Sequence, residues 1–174
     1  MEFHGGIDSL NKKKVKKMGL DMSLRRVWYL HSIDEEKVKK KFAEILSING
    51  VTGAKIGRVS TITEEKIYWR KVNSIHNWFV QNVQEGEDDC GDYEVSLEKL
   101  ESLRDIVKKV LEDHSSASSL LPTTDGFFFG STEYDEDYFE ELQYTKEELD
   151  KLFEEEEKLK DGDTWYSYNY TSSW

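Results

Sequence analysis

The sequence predicts an α+β fold in which a small, mainly antiparallel sheet packs with four to five helices. Three stretches carry that expectation. Residues 21–30 set Met22, Leu24, Arg26 and Trp28 at alternating positions, the period of a strand with one face toward a core. Residues 97–113 repeat Leu97, Leu100, Leu103, Val107, Val110 and Leu111 at spacings of three and four, the stripe of an amphipathic helix. Residues 165–174 alternate aromatic with small polar side chains, which places Tyr166, Tyr168 and Tyr170 on one face of a final strand.

From the N-terminus, residues 1–17 read as a basic, flexible leader, because Lys12, Lys13, Lys14, Lys16 and Lys17 follow two glycines with little apolar anchorage. Residues 18–174 read as a single α+β domain, with Met18 as its candidate start. Asp34 is placed to cap a helix over residues 35–47, whose apolar stripe is Val38, Phe42, Ile45 and Leu46. Residues 51–69 predict a β-rich segment broken by Gly53, Gly57 and a polar turn around Glu64. Val72, Ile75, Phe79 and Val83 predict a helix over residues 71–83, and an acidic loop follows to Asp92.

Ser96 is a good N-cap for the long helix. Residues 115–119 break its pattern ahead of Pro122, the sole proline. Three phenylalanines between Gly126 and Gly130 predict a short buried strand. Residues 137–144 predict a short helix. Thr145 with Glu148 has the spacing of a capping box, which would open a second helix toward Lys160.

Composition limits the class of protein. At 174 residues the chain is long enough to bury a core without disulfides or metal. Its 13% aromatic content argues against disorder, since that much ring area is costly to leave in water. No apolar run approaches the ~18–20 residues that span a bilayer, and no apolar stretch of ~7–15 residues follows the N-terminal lysines. A single cysteine, Cys90, suits a reducing compartment, so the expected location is the cytoplasm, with no membrane association.

The net charge is -12 and it is unevenly spread. Residues 1–71 carry 16 Lys/Arg against 9 Asp/Glu, whereas residues 72–174 carry 8 against 27. The acidic part should repel nucleic acid, so direct nucleic-acid binding is not expected, and should attract a basic partner. The aromatic tail lacks interleaved Lys/Arg, and packing suits it better than base stacking.

Metal and cofactor chemistry find little support. His76, Asp88, Asp89, Cys90 and Asp92 form the best cluster, but there is no CxxC, no HxxxH and no EF-hand spacing. No metal and no cofactor are therefore expected. One cysteine and one histidine of this kind occur in almost any chain of this size, so a Cys90–His76 nucleophile pair is a weak signal, and no catalytic residue is assigned.

Two constellations remain. The first is a candidate pocket: the strand expected at residues 126–130 would deliver Ser131, Thr132, Glu133 and Asp135 opposite Trp69, Arg70 and His76, with Arg70 able to clamp a phosphate or carboxylate. The same residues suit a structural turn in which Ser131 or Thr132 caps a helix and Arg70 pairs with Glu133 or Asp135. The second is an acidic tract. Residues 125–163 hold 16 Asp/Glu and 4 Lys. Duplex DNA carries about one charge per ~1.7 Å of axis and a helix rises ~1.5 Å per residue, so a helix rich in exposed acids can approach that density. The candidate partner-binding residues are Glu136, Asp137, Glu140, Glu141, Glu147, Glu148, Glu154, Glu155, Glu156 and Glu157. The plain alternative is a solvated helical face.

Seven motifs in one order also carry a resemblance: Met18-Gly19-Leu20-Asp21-Met22, Tyr68-Trp69-Arg70-Lys71, Ile75-His76-Asn77-Trp78-Phe79-Val80, Asp88-Asp89-Cys90, Leu120-Leu121-Pro122-Thr123, the run from Gly126 through Asp135, and Ser172-Ser173-Trp174. Together they resemble a family of small proteins from phages and prophage-like elements of gut and soil bacteria, for which no reaction is assigned. The chain departs from that pattern in its lysine-rich leader and in an insertion-like stretch over residues 31–60. The resemblance implies a mobile-element accessory protein working in the host bacterial cytoplasm. Joined to the charge, it suggests an anti-CRISPR or other anti-defence inhibitor that mimics nucleic acid toward a basic host protein, such as a nucleic-acid-guided effector nuclease. The alternative is a nucleotide-like ligand-binding protein or hydrolase built around Arg70, His76, Glu133 and Asp135.

Overall fold

The computed structural model describes residues 19–30, 35–53, 55–159 and 165–174. The basic leader, Met18, the Asp34 cap and the helix end at Lys160 lie outside the described residues. The fold is α+β. Strands β1 (Asp21–Tyr29), β2 (Thr61–Arg70), β3 (Asp92–Val95) and β4 (Trp165–Ser173) form one sheet in the order β2-β1-β4-β3, with every pairing antiparallel. The helices are α1 (Glu35–Ile48), α2 (Asn73–Asn82), α3 (Leu97–Glu112), α4 (Ala117–Leu120) and α5 (Glu136–Leu159), with a 3₁₀ turn at His114–Ser116.

Alternation along β1 turns Met22, Leu24 and Arg26 inward, all buried. Leu24, Ile75, Phe79, Leu100, Leu103, Val107, Val110, Leu142, Leu149 and Tyr170 are completely buried, so α2, α3 and α5 share one core with a single face of the sheet. Phe79 stacks on Tyr170 with ring centres 3.9 Å apart, which ties α2 to the last strand. Ser96 caps α3 as expected, accepting the Lys99 N–H at 3.3 Å.

A bulge in β2 decides what the sheet does with its charges. Leu24 pairs with Ile67 but Arg25 pairs with Glu65, so Lys66 is the extra residue. Past the bulge, Glu64 lies opposite Arg26, the place that an unbroken register would give to Glu65. The displaced Lys66 ammonium reaches Glu64 at 3.0 Å and Glu155 of α5 at 2.6 Å.

Five expectations require correction. No turn breaks the chain around Glu64, which lies within β2 and pairs with Arg26. Residues 55–60 are not strand, because β1 ends at Tyr29 and offers no further ladder; β2 begins only at Thr61. The apolar stripe of α1 stays outside the core: Val38, Phe42 and Leu46 are half-buried and Ile45 is exposed.

Residues 126–130 form a turn rather than a buried strand. The Phe129 N–H donates to the Gly126 carbonyl at 3.0 Å, Gly130 adopts φ +92°, and Phe127 is 94% exposed. Glycine is required at both ends. A Cβ on Gly126 would lie 2.6 Å from the Phe129 ring, and Gly130 sits in the left-handed region.

Thr145 opens no new helix, for α5 runs unbroken over 24 residues. The Thr145 hydroxyl is buried, donating to the Glu141 carbonyl at 2.8 Å and accepting the Trp69 indole N–H at 3.0 Å. The cap of α5 is instead Asp135, whose carboxylate accepts the Tyr138 N–H at 3.2 Å. Strand β3, only four residues long, had no readable period in the sequence. Among the described residues no helix is long and apolar enough to cross a membrane.

Candidate functional site

The segment between α4 and α5 has little regular structure, and it is fixed by side chains from elsewhere. Buried Asn73, first residue of α2, donates to the carbonyls of Phe129 at 3.1 Å and Ser131 at 2.7 Å, and accepts the Thr124 N–H at 3.1 Å. Thr123 donates its hydroxyl to the Thr132 carbonyl at 3.0 Å, and the Tyr138 hydroxyl donates to the Leu121 carbonyl at 2.8 Å. These bonds hold the first turn of α5 against the start of α2.

Between them lies a cleft of about 260 Å³. Its charged lining is Glu133, Asp135, Asp137 and Glu141, with Lys71 as the cation, and Asn73, Ser74 and Tyr138 complete its wall. A shallower groove of about 340 Å³ on the other side of Asp137 and Glu141 adds Glu140, Tyr144, Trp69 and Arg70. The two hollows share Asp137 and Glu141, so the N-terminal turns of α5 present carboxylates to both.

The electrostatics follow from that crowding. Desolvation, then the neighbouring Asp137 and Asp135 charges, push the Glu141 carboxyl up to about 7. Burial, with a smaller contribution from Tyr134, also pushes the Tyr138 phenol far above its ordinary value, so it stays a neutral donor. Among the described residues, Glu133, Asp135, Glu136, Asp137, Glu140 and Glu141 make no ion pair within 4 Å.

The remainder of the acidic tract is different. Glu156 is 6% exposed and is not part of a partner-facing surface; its carboxylate takes the Arg26 guanidinium at 3.1 Å, the Tyr168 hydroxyl at 2.7 Å and the Tyr166 hydroxyl at 2.6 Å. Glu155 is half-buried and held below the usual carboxylate range, first by the Lys66 hydrogen bond, with Arg26 adding to it. Glu148 pairs with Lys151 at 2.6 Å. Glu147, Glu154 and Glu157 remain exposed. Acids that the sequence shows as one tract thus divide between internal partners and open surface.

The residues of the candidate pocket also divide. Ser131, Glu133 and Asp135 line the cleft; Trp69 and Arg70 line the neighbouring groove; exposed Thr132 does not line the cleft. Arg70 donates to Asp21 at 2.9 Å, not to Glu133 or Asp135. His76 is 1% exposed and stands apart from both hollows, with Nδ1 2.7 Å from the Tyr170 hydroxyl and Nε2 2.9 Å from Asp88. Both its ring nitrogens are engaged, so it is not placed as a base for half-buried Cys90. Among the described residues no three His, Cys, Asp or Glu side chains gather as a metal-binding set.

Sequence reading missed Lys71, Asn73 and Ser74. Their only signal was the polar start of an apolar helix, which is an ordinary feature.

Comparison with protein-family models, with curated proteins and with solved structures finds no match for the chain.

Proposed function

We propose that this protein acts by binding, and that the carboxylates at the start of α5 dock on a basic surface of a nucleic-acid-handling host defence protein, such as a CRISPR effector nuclease, where they displace nucleic acid. One observation carries the reading: Glu136, Asp137, Glu140 and Glu141 crowd into two turns without an ion-pair partner among the described residues, with Glu133 and Asp135 beside them. At ~1.5 Å per residue, and with Glu141 about half protonated near neutral pH, these four helical acids average about one charge per ~2.5 Å, between the ~3.4 Å of one nucleic-acid strand and the ~1.7 Å of a duplex. The mimicking surface is therefore the first two turns of α5 rather than its whole length. The resemblance of the sequence motifs to those of small phage proteins is in keeping with the same setting.

A nucleotide-like ligand fits the cleft less well. Its lining sets four carboxylates against Lys71, which repels phosphate, while Arg70 is engaged by Asp21 and His76 is enclosed.

The test is binding to a panel of purified nucleic-acid-guided nucleases, with guide and target strands as competitors. Binding should weaken steeply with added salt. It should fall at least tenfold in the triple variant E136Q/D137N/E140Q, three exposed positions whose change leaves the core intact. If no nuclease of the panel binds, or the triple variant binds as well as the parent, the reading fails.

A further inference from the structure

Phe127 is 94% exposed, the most exposed large apolar side chain among the described residues. The segment that carries it is braced. Its turn is closed by the Phe129 N–H bond to Gly126, fastened to the residue that precedes inner strand β1 by the Leu20 N–H donating to the Phe128 carbonyl at 3.1 Å, and held by buried Asn73 on the Phe129 carbonyl.

The Phe129 ring meets buried His76 edge-on at 5.1 Å and reaches half-exposed Trp174 at 6.0 Å. Phe128, half-buried, stands perpendicular to Phe127 with ring centres 4.7 Å apart. The tip is thus a braced aromatic knob with further aromatic surface beside it. Aromatic side chains are enriched at the centres of protein interfaces, and a backbone fixed before the partner arrives lowers the cost of ordering on binding.

The surrounding charge says what covers it. Asp125 is exposed two positions before the knob, Glu133 is exposed after it, and Asp88 sits under Trp174, accepting its indole N–H at 3.3 Å. Lys71 is the cation at the base of the turn, against Gly130. A second copy of a chain with net charge -12 would bring the same acids to the contact, and an anionic lipid surface would be repelled.

We infer that Phe127 is the apolar anchor of the partner-binding surface, inserted into an apolar pocket that Lys and Arg side chains ring on a basic protein. This rests on the proposed acidic docking reading and adds the anchor to it.

The probe is a synthetic twelve-residue peptide alternating arginine and tryptophan. Its two controls are one with every tryptophan replaced by glycine, and one with every arginine replaced by glutamine. Calorimetric titration should show the parent peptide binding at least tenfold more tightly than either control. That advantage should fall about tenfold in F127A and return in F127W, with the fold checked by circular dichroism; Phe127 buries too little for its loss to unfold the chain.

F127A binding all three peptides like the parent protein would overturn the inference. If the glycine control still bound, and E136Q/D137N/E140Q still weakened it, the acidic docking surface would survive that result. Two other outcomes would also overturn it: Phe127-dependent binding to neutral lipid vesicles with no preference among the peptides, and Phe127-dependent dimerisation in sedimentation.

Discussion

The guanidinium of Arg26 meets the carboxylate of Glu156 at 3.1 Å across 130 positions of sequence, with both side chains buried. Tyr168 completes the contact, accepting the Arg26 Nε–H at 2.9 Å while donating its hydroxyl to Glu156 at 2.7 Å. The rings of Trp28, Tyr166 and Tyr168 lie within 5.4 Å of the guanidinium carbon. Burial, together with the Glu156 hydrogen bond, pushes the Tyr166 phenol up to about 12.

Removing one side of this pair leaves the other charged, buried and unmatched. Arg26→Ala is expected to destabilise by about 3–5 kcal/mol, whereas Arg26→Met with Glu156→Leu should come within about 1–2 kcal/mol of the parent. Urea unfolding followed by tryptophan fluorescence measures both. A single variant costing no more than the double would contradict the buried-pair account.

Glu141 gives a pH dependence with a definite sign. Its carboxyl ordinarily titrates near 4.5 and is pushed up to about 7 in the fold, so the folded state holds the proton more tightly. Below the ordinary value both states are protonated and Glu141 contributes no pH dependence. Between about 4.5 and 7 the unfolded state gives up its proton first, and stability falls as pH rises. Glu141→Gln should therefore be more stable than the parent at pH 8, on the order of 1–2 kcal/mol, and melt at a higher temperature, with the gap closing below the ordinary value. Thermal melts at both extremes measure it, and equal gaps would be the contrary result.

The start of α5 depends on one side chain. Asp135→Ala removes the acceptor for the Tyr138 N–H and should cost about 1 kcal/mol. Hydrogen exchange should quicken over the first turn only. If Thr145 were the true helix start, exchange would instead quicken around Lys146 in Thr145→Ala. The structure predicts for that variant a loss of about 1–2 kcal/mol from the orphaned Trp69 indole, with no helix fraying.

Gly130 has a conformational role. At φ +92°, with Lys71 atoms 3.1 and 3.2 Å from where a Cβ would sit, Gly130→Ala should destabilise by about 1–2 kcal/mol. It should also loosen the turn that presents Phe127. Proteolysis between residues 126 and 131, faster in the variant than in the parent, is the direct readout.

Much of the architecture was legible because local periodicity reports it. The alternation in β1 and β4, the stripe of α3 and its Ser96 cap all follow from neighbours within one or two turns. Legibility stopped where a residue could satisfy two patterns. Thr145 followed by Glu148 has the spacing of a capping box, yet the Trp69 indole, 76 positions away, makes that hydroxyl a buried acceptor inside a longer helix. Three phenylalanines between glycines look like a core strand until the sheet is found already complete with four strands.

The sequence by itself determined the fold class, the main helices and strands, and the fact of a strongly acidic C-terminal part, since these depend on composition and short-range spacing. Only the tertiary structure decided which carboxylates are consumed internally and which face outward. A bulge at Lys66 and a buried arginine on a distant strand neutralise Glu155 and Glu156 toward the far end of α5, while among the described residues the start of that helix receives no such cations. Charge is carried by the residue, but whether it is available is set by what folds against it.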